Sequence, residues 1–209
     1  MTQTLPPPGV DLAAKFGDID IYLFDQLLRG RFDRRPRVLD AGCGDGRNLT
    51  YLLRRGFTCF GIDREPAKVE RVRALAAQLA PGLPREHFRA GEIDHLPCDA
   101  ATMDAVISSA VLHFAADRAH FDRMIDEMWR VLAPEGMLFA RLASNIGLEA
   151  AIGPAGVRAR LPDGSDRFVV DEAILLEATD RLGAQLLDPI KTTNVQQQRC
   201  MTTWCVRKT

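Results

Sequence analysis

The sequence predicts an α/β protein built on a doubly wound, mostly parallel sheet with helices on both faces. Three observations carry that expectation. Short apolar runs alternate with amphipathic stretches from residue 37 to residue 143. The run VLD ends at Asp40 and leads into a tight turn with Gly42, Gly44 and Gly46. The fourth run, MDAVISS, is apolar almost throughout, as a parallel strand buried on both faces should be. Strand, helix, strand, helix in succession implies right-handed crossovers and parallel pairing.

The elements follow in order. Residues 1–10, with prolines at 6–8, read as an extended leader. Residues 11–32 place Ile19, Tyr22, Leu23 and Leu27 at helical spacing, which predicts one amphipathic helix before the sheet. Pro36 ends it, and RVLDAG is the first strand. The glycine turn opens a helix that runs to about Arg55, where Gly56 stops it. FTCFGI is the second strand, and the helix after Asp63 takes Pro66 in an early turn and covers AKVERVRALAAQLA. Pro81, Gly82 and Pro84 end that helix, EHFRA is a short third strand and MDAVISS the fourth. FDRMIDEMWRVL is helical, and Pro134-Glu135-Gly136 turn the chain into a fifth strand, MLFARLA.

The alternation then breaks. Residues 144–168 hold four glycines, two prolines and a P-D-G-S turn between VRARL and RFVV, which predicts a hairpin inserted above the sheet. Its apolar side is expected to be Val157, Ala159 and Leu161, with little buried area of its own. DEAILLEATDRL is the last helix, with Asp171 in its first turn. AQLLDPIK and QRCMTTWCV, joined by the short polar link TTNVQQ, must be antiparallel. Pro189 within the first of them suits an edge strand, since it cannot donate to a ladder.

A chain of 209 residues is long enough for one domain that buries roughly 70% of its unfolded surface. Lysine plus arginine number 27 against 28 acids, so no basic excess argues for a nucleic-acid partner. The start, MTQTLPPPGV, has neither a basic region nor an apolar core of a targeting peptide, and no apolar stretch reaches membrane-spanning length. A cytoplasmic protein with no membrane partner is expected. Five scattered cysteines without a C-x-x-C pair suggest neither a metal site nor a disulfide framework. Cys200 and Cys205, five apart on one strand, should point to opposite faces. Cys43, inside the glycine turn, reads as a small residue fitted to a crowded loop.

The glycine turn is a nucleotide-binding signal. Missing β-carbons let a ligand lie against backbone N–H groups, and a following helix N-terminus adds a positive field. Asp63 ends the next strand 19 residues beyond Gly44, where an acid can grip ribose hydroxyls. Two features argue against a dinucleotide. Arg47 stands where the third glycine of G-x-G-x-x-G would fall, and Asp40 sits where a pyrophosphate would approach. Asp40, Asp63 and Glu92 surround the site with carboxylates, each worth roughly 1–4 kcal/mol to a cation at 4 Å, so a cationic nucleotide is favoured.

VLDAGCGDGRN, the acid Asp63, AGEIDHLP, MDAVISSAVLHF and MWRVLAPEGMLFARL, in that order over about residues 20–143, resemble the class I S-adenosylmethionine-dependent methyltransferases of the small single-domain bacterial type. The resemblance implies a Rossmann-like sheet of seven strands in the order 3-2-1-4-5-7-6, with strand 7 antiparallel. It implies S-adenosyl-L-methionine as cofactor and a small molecule as methyl acceptor. Gly42 and Gly44 would pass the amino-acid part of the cofactor, Asp40 would support its ammonium through the loop, and Asp63, with Arg64 beside it, would take the ribose. Glu92 and Ile93 match the acid and apolar residue that read the adenine amine and ring, with Glu92 longer than the usual Asp. Ser109 would lie beneath the methionine moiety. Arg47 and Asn48 begin the first helix beside the loop, equally as structural residues.

Methyl transfer is an in-line displacement on a sulfonium, which needs no oxyanion hole and needs a base only for a tightly held proton. A strong catalytic signature is therefore not expected. His113, after the fourth strand, lies where the methyl would point; a histidine titrating near neutrality can serve as base, and a hydrogen-bonded packing histidine is an equal reading of the same residue. Tyr22 could close over the cofactor or be a core tyrosine with a satisfied hydroxyl. Arg141 and Lys191, at the ends of strands five and six, point to the same rim. Residues 11–32 and 144–168 are expected to close together over donor and acceptor. Two other readings stay open: a protein that binds the cofactor or its product without turnover, and a methyltransferase acting on a protein. Residue patterns identify neither the acceptor nor the oligomeric state.

Overall fold

The computed structural model describes residues 10–209. The expected leader lies outside the described residues except for Val10. Two helices open the described chain, α1 (Val10–Phe16) and α2 (Ile21–Leu28). The single helix expected over 11–32 is thus broken. Gly17, at φ 65°, donates its N–H to the Ala13 carbonyl and ends α1. Asp20 then starts α2 by accepting the Tyr22 N–H at 3.0 Å.

Then come β1 (Arg37–Ala41), α3 (Thr50–Arg54), β2 (Thr58–Asp63), α4 (Pro66–Leu79), β3 (Phe88–Ala90) and β4 (Met103–Ser109). The helix expected to start at Gly46 begins only at Thr50 and spans five residues, because residues 47–49 are a turn. So short a helix offers little dipole to a ligand. Pro66 is the first helical residue of α4, where its missing N–H costs nothing. Val69, Val72 and Ala76 make its buried face. A single 3-10 turn, Leu112–Phe114, leads into α5 (Arg118–Val131), which Asp117 caps by accepting the His120 N–H at 2.7 Å. Phe121, Met124, Ile125, Met128 and Val131 bury one stripe of α5.

The chain continues through β5 (Leu132–Ser144), a short α6 (Glu149–Ile152) that the sequence pattern did not indicate, and the hairpin β6 (Val157–Arg160) and β7 (Asp166–Val169). Next are α7 (Glu172–Arg181), β8 (Ala184–Leu186), β9 (Lys191–Val195) and β10 (Arg199–Lys208). Asp171 stands just before α7 as its cap, accepting the Ile174 N–H at 2.8 Å.

The main sheet runs β3-β2-β1-β4-β5-β10-β8, with β9 also paired to β10. This is the expected seven-strand order, with strand six divided into β8 and β9, and β10 antiparallel to β5. Pro189 is the cause of the division. It has no N–H to give the ladder, and Asp188 before it turns toward Gln26 and Arg31. Thr192–Val195 are therefore strand rather than link. The link is the three residues 196–198, of which Gln196 and Gln197 are left-handed at φ 51° and 58°.

Each central strand buries both faces. Val38, Ala105, Ile107 and Phe139 pack toward α2, α3 and α4 with Leu23, Leu52 and Val72. Their neighbours Leu39, Val106, Leu138 and Ala140 pack on the opposite side with Phe121, Ile125 and Leu175. Cys205 joins the first layer, and Cys200 joins a third cluster with Leu161, Val169 and Met201. The β6–β7 hairpin is thus more firmly seated than its sequence suggests. Its buried side comes from Leu161, Phe168 and Val169, while Val157 is 47% exposed. Phe168 stacks on Phe121 with centroids 5.0 Å apart. The hairpin stands over the carboxyl ends of β4 and β5, where ligands of open α/β sheets bind.

Candidate functional site

A cleft of about 200 Å³ opens at the carboxyl ends of β1, β2 and β4. Gly42, Gly44, Asp63, Arg64, Glu92 and Ile93, all sequence candidates, line it together. Gly42 sits at φ 90°, and a β-carbon there would fall 2.3 Å from Val111 Cγ2, so no other residue fits the loop against Val111. Gly44, at φ 52°, faces open space: an added β-carbon would meet nothing within 4 Å. That space is the cradle a ligand would fill.

Asp63 is 8% exposed and holds the cleft's shape. One of its oxygens accepts the Gly44 N–H at 2.9 Å and the other the Glu65 N–H at 3.0 Å. Each oxygen keeps further acceptor capacity for a ligand hydroxyl. Ile93, nearly buried, supplies an apolar wall beside the exposed Glu92.

Asp40 lies beneath the loop with only 1% of its surface exposed, and neither carboxylate oxygen has a hydrogen-bond partner. Burial pushes its carboxyl up to about 7; Asp63 adds to the shift, while Arg47 and Asn48 oppose it. An orphaned buried carboxylate is costly unless a cation or donor completes it. Cys43 is 3% exposed and burial pushes its thiol far up, so it is a packing residue rather than a nucleophile.

Ser109 and Tyr22 are placed outside this cleft. The Ser109 hydroxyl donates to Asp20 Oδ2 at 2.9 Å and accepts from Arg47 at 3.1 Å. The same Asp20 oxygen accepts from Arg141 at 3.1 Å, and the Asp20 N–H donates to Asn48 Oδ1 at 3.1 Å. Asp20, 3% exposed, thus ties α2 to the glycine loop and to the ends of β4 and β5. Nothing local in the sequence separates it from Asp18 or Asp25. Tyr22 carries the Arg141 guanidinium over its ring at 4.9 Å, and its hydroxyl pairs with Thr193 Oγ1. Lys191, at the start of β9, is exposed and does not line this cleft.

A second cavity, of about 300 Å³, adjoins the first and shares Ala110 and Phe114 with it. His113, Arg141, Arg167 and Arg199 are in its walls. Ala110 is held in a left-handed conformation, φ 63°, by an N–H bond to the Arg141 carbonyl at 2.8 Å. A non-glycine residue there stores backbone strain at the junction of the two cavities. His113 is 5% exposed, and burial, reinforced by Arg167, Arg199, Arg141 and Arg158, lowers its imidazole to about 3. The expectation of a histidine titrating near neutrality is therefore corrected: burial and four nearby guanidiniums keep this ring neutral.

The turn of the hairpin is tied to the start of β10. Asp163 in that turn meets Arg199 at 3.4 Å, and the Asp163 N–H reaches the Gln198 carbonyl at 3.3 Å. Among the described residues no hydrogen bond joins the hairpin to α2, which instead reaches Thr193. Among them, too, no helix is long and apolar enough to cross a membrane, and no group of three or more His, Cys, Asp or Glu is placed to hold a metal.

Residues 39–140, from β1 into β5, match the family model of the methyltransferase domain. That segment, just under half of the chain, is similar to the S-adenosylmethionine-dependent methyltransferases. A ubiquinone biosynthesis O-methyltransferase of Methylocella silvestris is 37% identical over 118 residues, 54% of this chain and 44% of that protein. The matched segment spans less than half the length of the curated relatives. Among solved structures, the PH0226 protein of Pyrococcus horikoshii superposes with a TM-score of 0.69 at 16% identity, covering 90% of this chain and 89% of that one. A 1,6-didemethyltoxoflavin-N1-methyltransferase of Burkholderia thailandensis, with bound 1,6-didemethyltoxoflavin and S-adenosylhomocysteine, gives 0.67 at 19% identity, covering 95% and 81%. At such identities the structural likenesses speak for the methyltransferase fold.

Proposed function

We propose that this protein transfers the methyl group of S-adenosylmethionine to a small molecule seated in the second cavity. The observation that carries the reading is the meeting of two adjoining cavities at Ala110 and Phe114, one built for a nucleotide and one lined differently. The residues of the first cavity fit the cofactor. Gly44 leaves room for its amino-acid chain, the partnerless Asp40 carboxylate suits an ammonium, Asp63 has acceptor capacity for ribose hydroxyls, and Ile93 with Glu92 suits a purine and its amine. When bound, the cofactor supplies an electrophilic methyl on a sulfonium.

The chain's own part is to bind, orient and exclude water. Asp20 ties Arg141, Ser109 and Arg47 into one network, which positions Arg141 in the wall of the second cavity. Phe114, between the cavities, offers a face along which an acceptor can be aligned. His113 remains neutral and is suited to hydrogen bonding with the acceptor rather than to storing a proton. The small-molecule ligand of the Burkholderia relative supports the same kind of acceptor here. The test is release of S-adenosylhomocysteine from S-adenosylmethionine over a panel of small acids, phenols and amines. Release that depends on one class supports the proposal. Tight product binding with no release over the whole panel would instead support a binding protein without turnover.

A further inference from the structure

We propose that the acceptor is a small organic anion whose charged group is held by Arg167 and Arg199 in the second cavity. This rests on reading that cavity as the acceptor site. Three guanidiniums and one carboxylate, Asp163, line it. Arg141 is already engaged by Asp20, which is almost wholly buried, at 3.1 Å. Arg199 meets Asp163 only at 3.4 Å, long for a charge-assisted bond. Arg167 forms no ion pair among the described residues. It donates to the Asp166 carbonyl at 2.9 Å and lies over the Phe114 ring at 5.0 Å, at the junction with the cofactor cleft. Arg158, on the same hairpin, spends its donors on the carbonyls of Ala115 and Asp166, so its charge is also unopposed by a carboxylate. The cavity therefore carries excess positive charge on groups with fork geometry suited to a carboxylate or phosphate.

A second observation points to a ligand independently. His113 is more than nine-tenths buried, lines this cavity, and its Nδ1 has no hydrogen-bond partner. A buried ring nitrogen left without a partner is unfavourable unless something completes it. The depression of its pKa reports the same positive field, since Arg167 and Arg199 stand next after burial among its causes. An acceptor with an anionic head and a polar substituent would satisfy both features. Phe114 would flank its body beside the donor methyl.

The test uses the full chain saturated with S-adenosylhomocysteine and titrated by calorimetry with benzoate, with inorganic phosphate, and with benzamide as the neutral isostere of benzoate. Benzoate is expected to bind at least about tenfold more tightly than benzamide, the scale of one lost charge-assisted contact. Phosphate above benzoate would assign the anion as phosphate, and the reverse as carboxylate. Arg199→Gln, at the exposed start of β10, should weaken anion binding about tenfold and leave the product's affinity unchanged. Asp163→Asn should tighten it, because Asn keeps the Oδ1 acceptor for Ser165 at 2.9 Å while releasing Arg199. Equal binding of benzoate and benzamide, insensitivity to both variants, or no anion binding at all with the product bound would overturn the proposal while leaving the cofactor reading intact. Anion binding without product binding would place the error in the cofactor reading instead.

Discussion

Asp40→Asn isolates the buried carboxylate on which the cofactor reading depends. Its pKa rises on folding from 3.8 to about 7, a difference of roughly three units or about 4 kcal/mol between the protonation states. Between those values the unfolded chain has lost the proton that the folded chain retains. Stability therefore falls as pH rises from about 4 to 7 and levels off above. The Asn variant carries no such charge, so its melting temperature should decline less over that window and exceed that of the parent above about pH 7. Binding has the opposite sign. A cationic amino group favours the ionised form, which grows from about a tenth of molecules at pH 6 to nine-tenths at pH 8, so affinity should rise about tenfold over that range. In the Asn variant affinity should be lower at pH 8 and nearly flat with pH. Calorimetric titration with S-adenosylhomocysteine from pH 6 to 8, beside thermal melts of the unliganded proteins, reads both effects. Parallel pH profiles for parent and variant would refute the reasoning.

The loop glycines should separate fold from function. Gly44→Ala should cost about 1–2 kcal/mol of stability for its left-handed backbone yet abolish product binding, whereas Gly42→Ala should cost more in the thermal melt because its β-carbon meets Val111. Asp20→Ala removes a helix cap and a shared carboxylate, so it should lower stability by about 2–4 kcal/mol; a melt within a degree of the parent would deny the network its role. His113 should show a neutral imidazole by nitrogen NMR from pH 5 to 8, and a titration midpoint near 6.5 would contradict the buried, arginine-flanked setting.

Much of the fold was legible because its cues are local. Pro66 starts α4, Asp171 stands at the start of α7, and the apolar run from Met103 to Ser109 is a strand buried on both faces. The glycine loop and Asp63 were legible for the same reason: strand, turn and acid are near in sequence. The break between α1 and α2 was not, since the apolar period runs on through Ile19 and Tyr22 while Asp20 is recruited by residues 28, 89 and 121 positions away. The neutral state of His113 was hidden for a similar reason. Its guanidinium neighbours come from β5, the hairpin and β10, and only the fold brings them together.

The central claim is that the glycine-lined cleft holds a sulfonium nucleotide through Asp63 at the ribose. Titration of the parent and of Asp63→Ala with S-adenosylhomocysteine, and separately with NAD, tests it most directly. The expected result is binding of the sulfur nucleotide to the parent, weakened at least about tenfold in the variant, with no comparable binding of NAD. Binding of NAD without the sulfur nucleotide, or an unchanged affinity in Asp63→Ala, would contradict it.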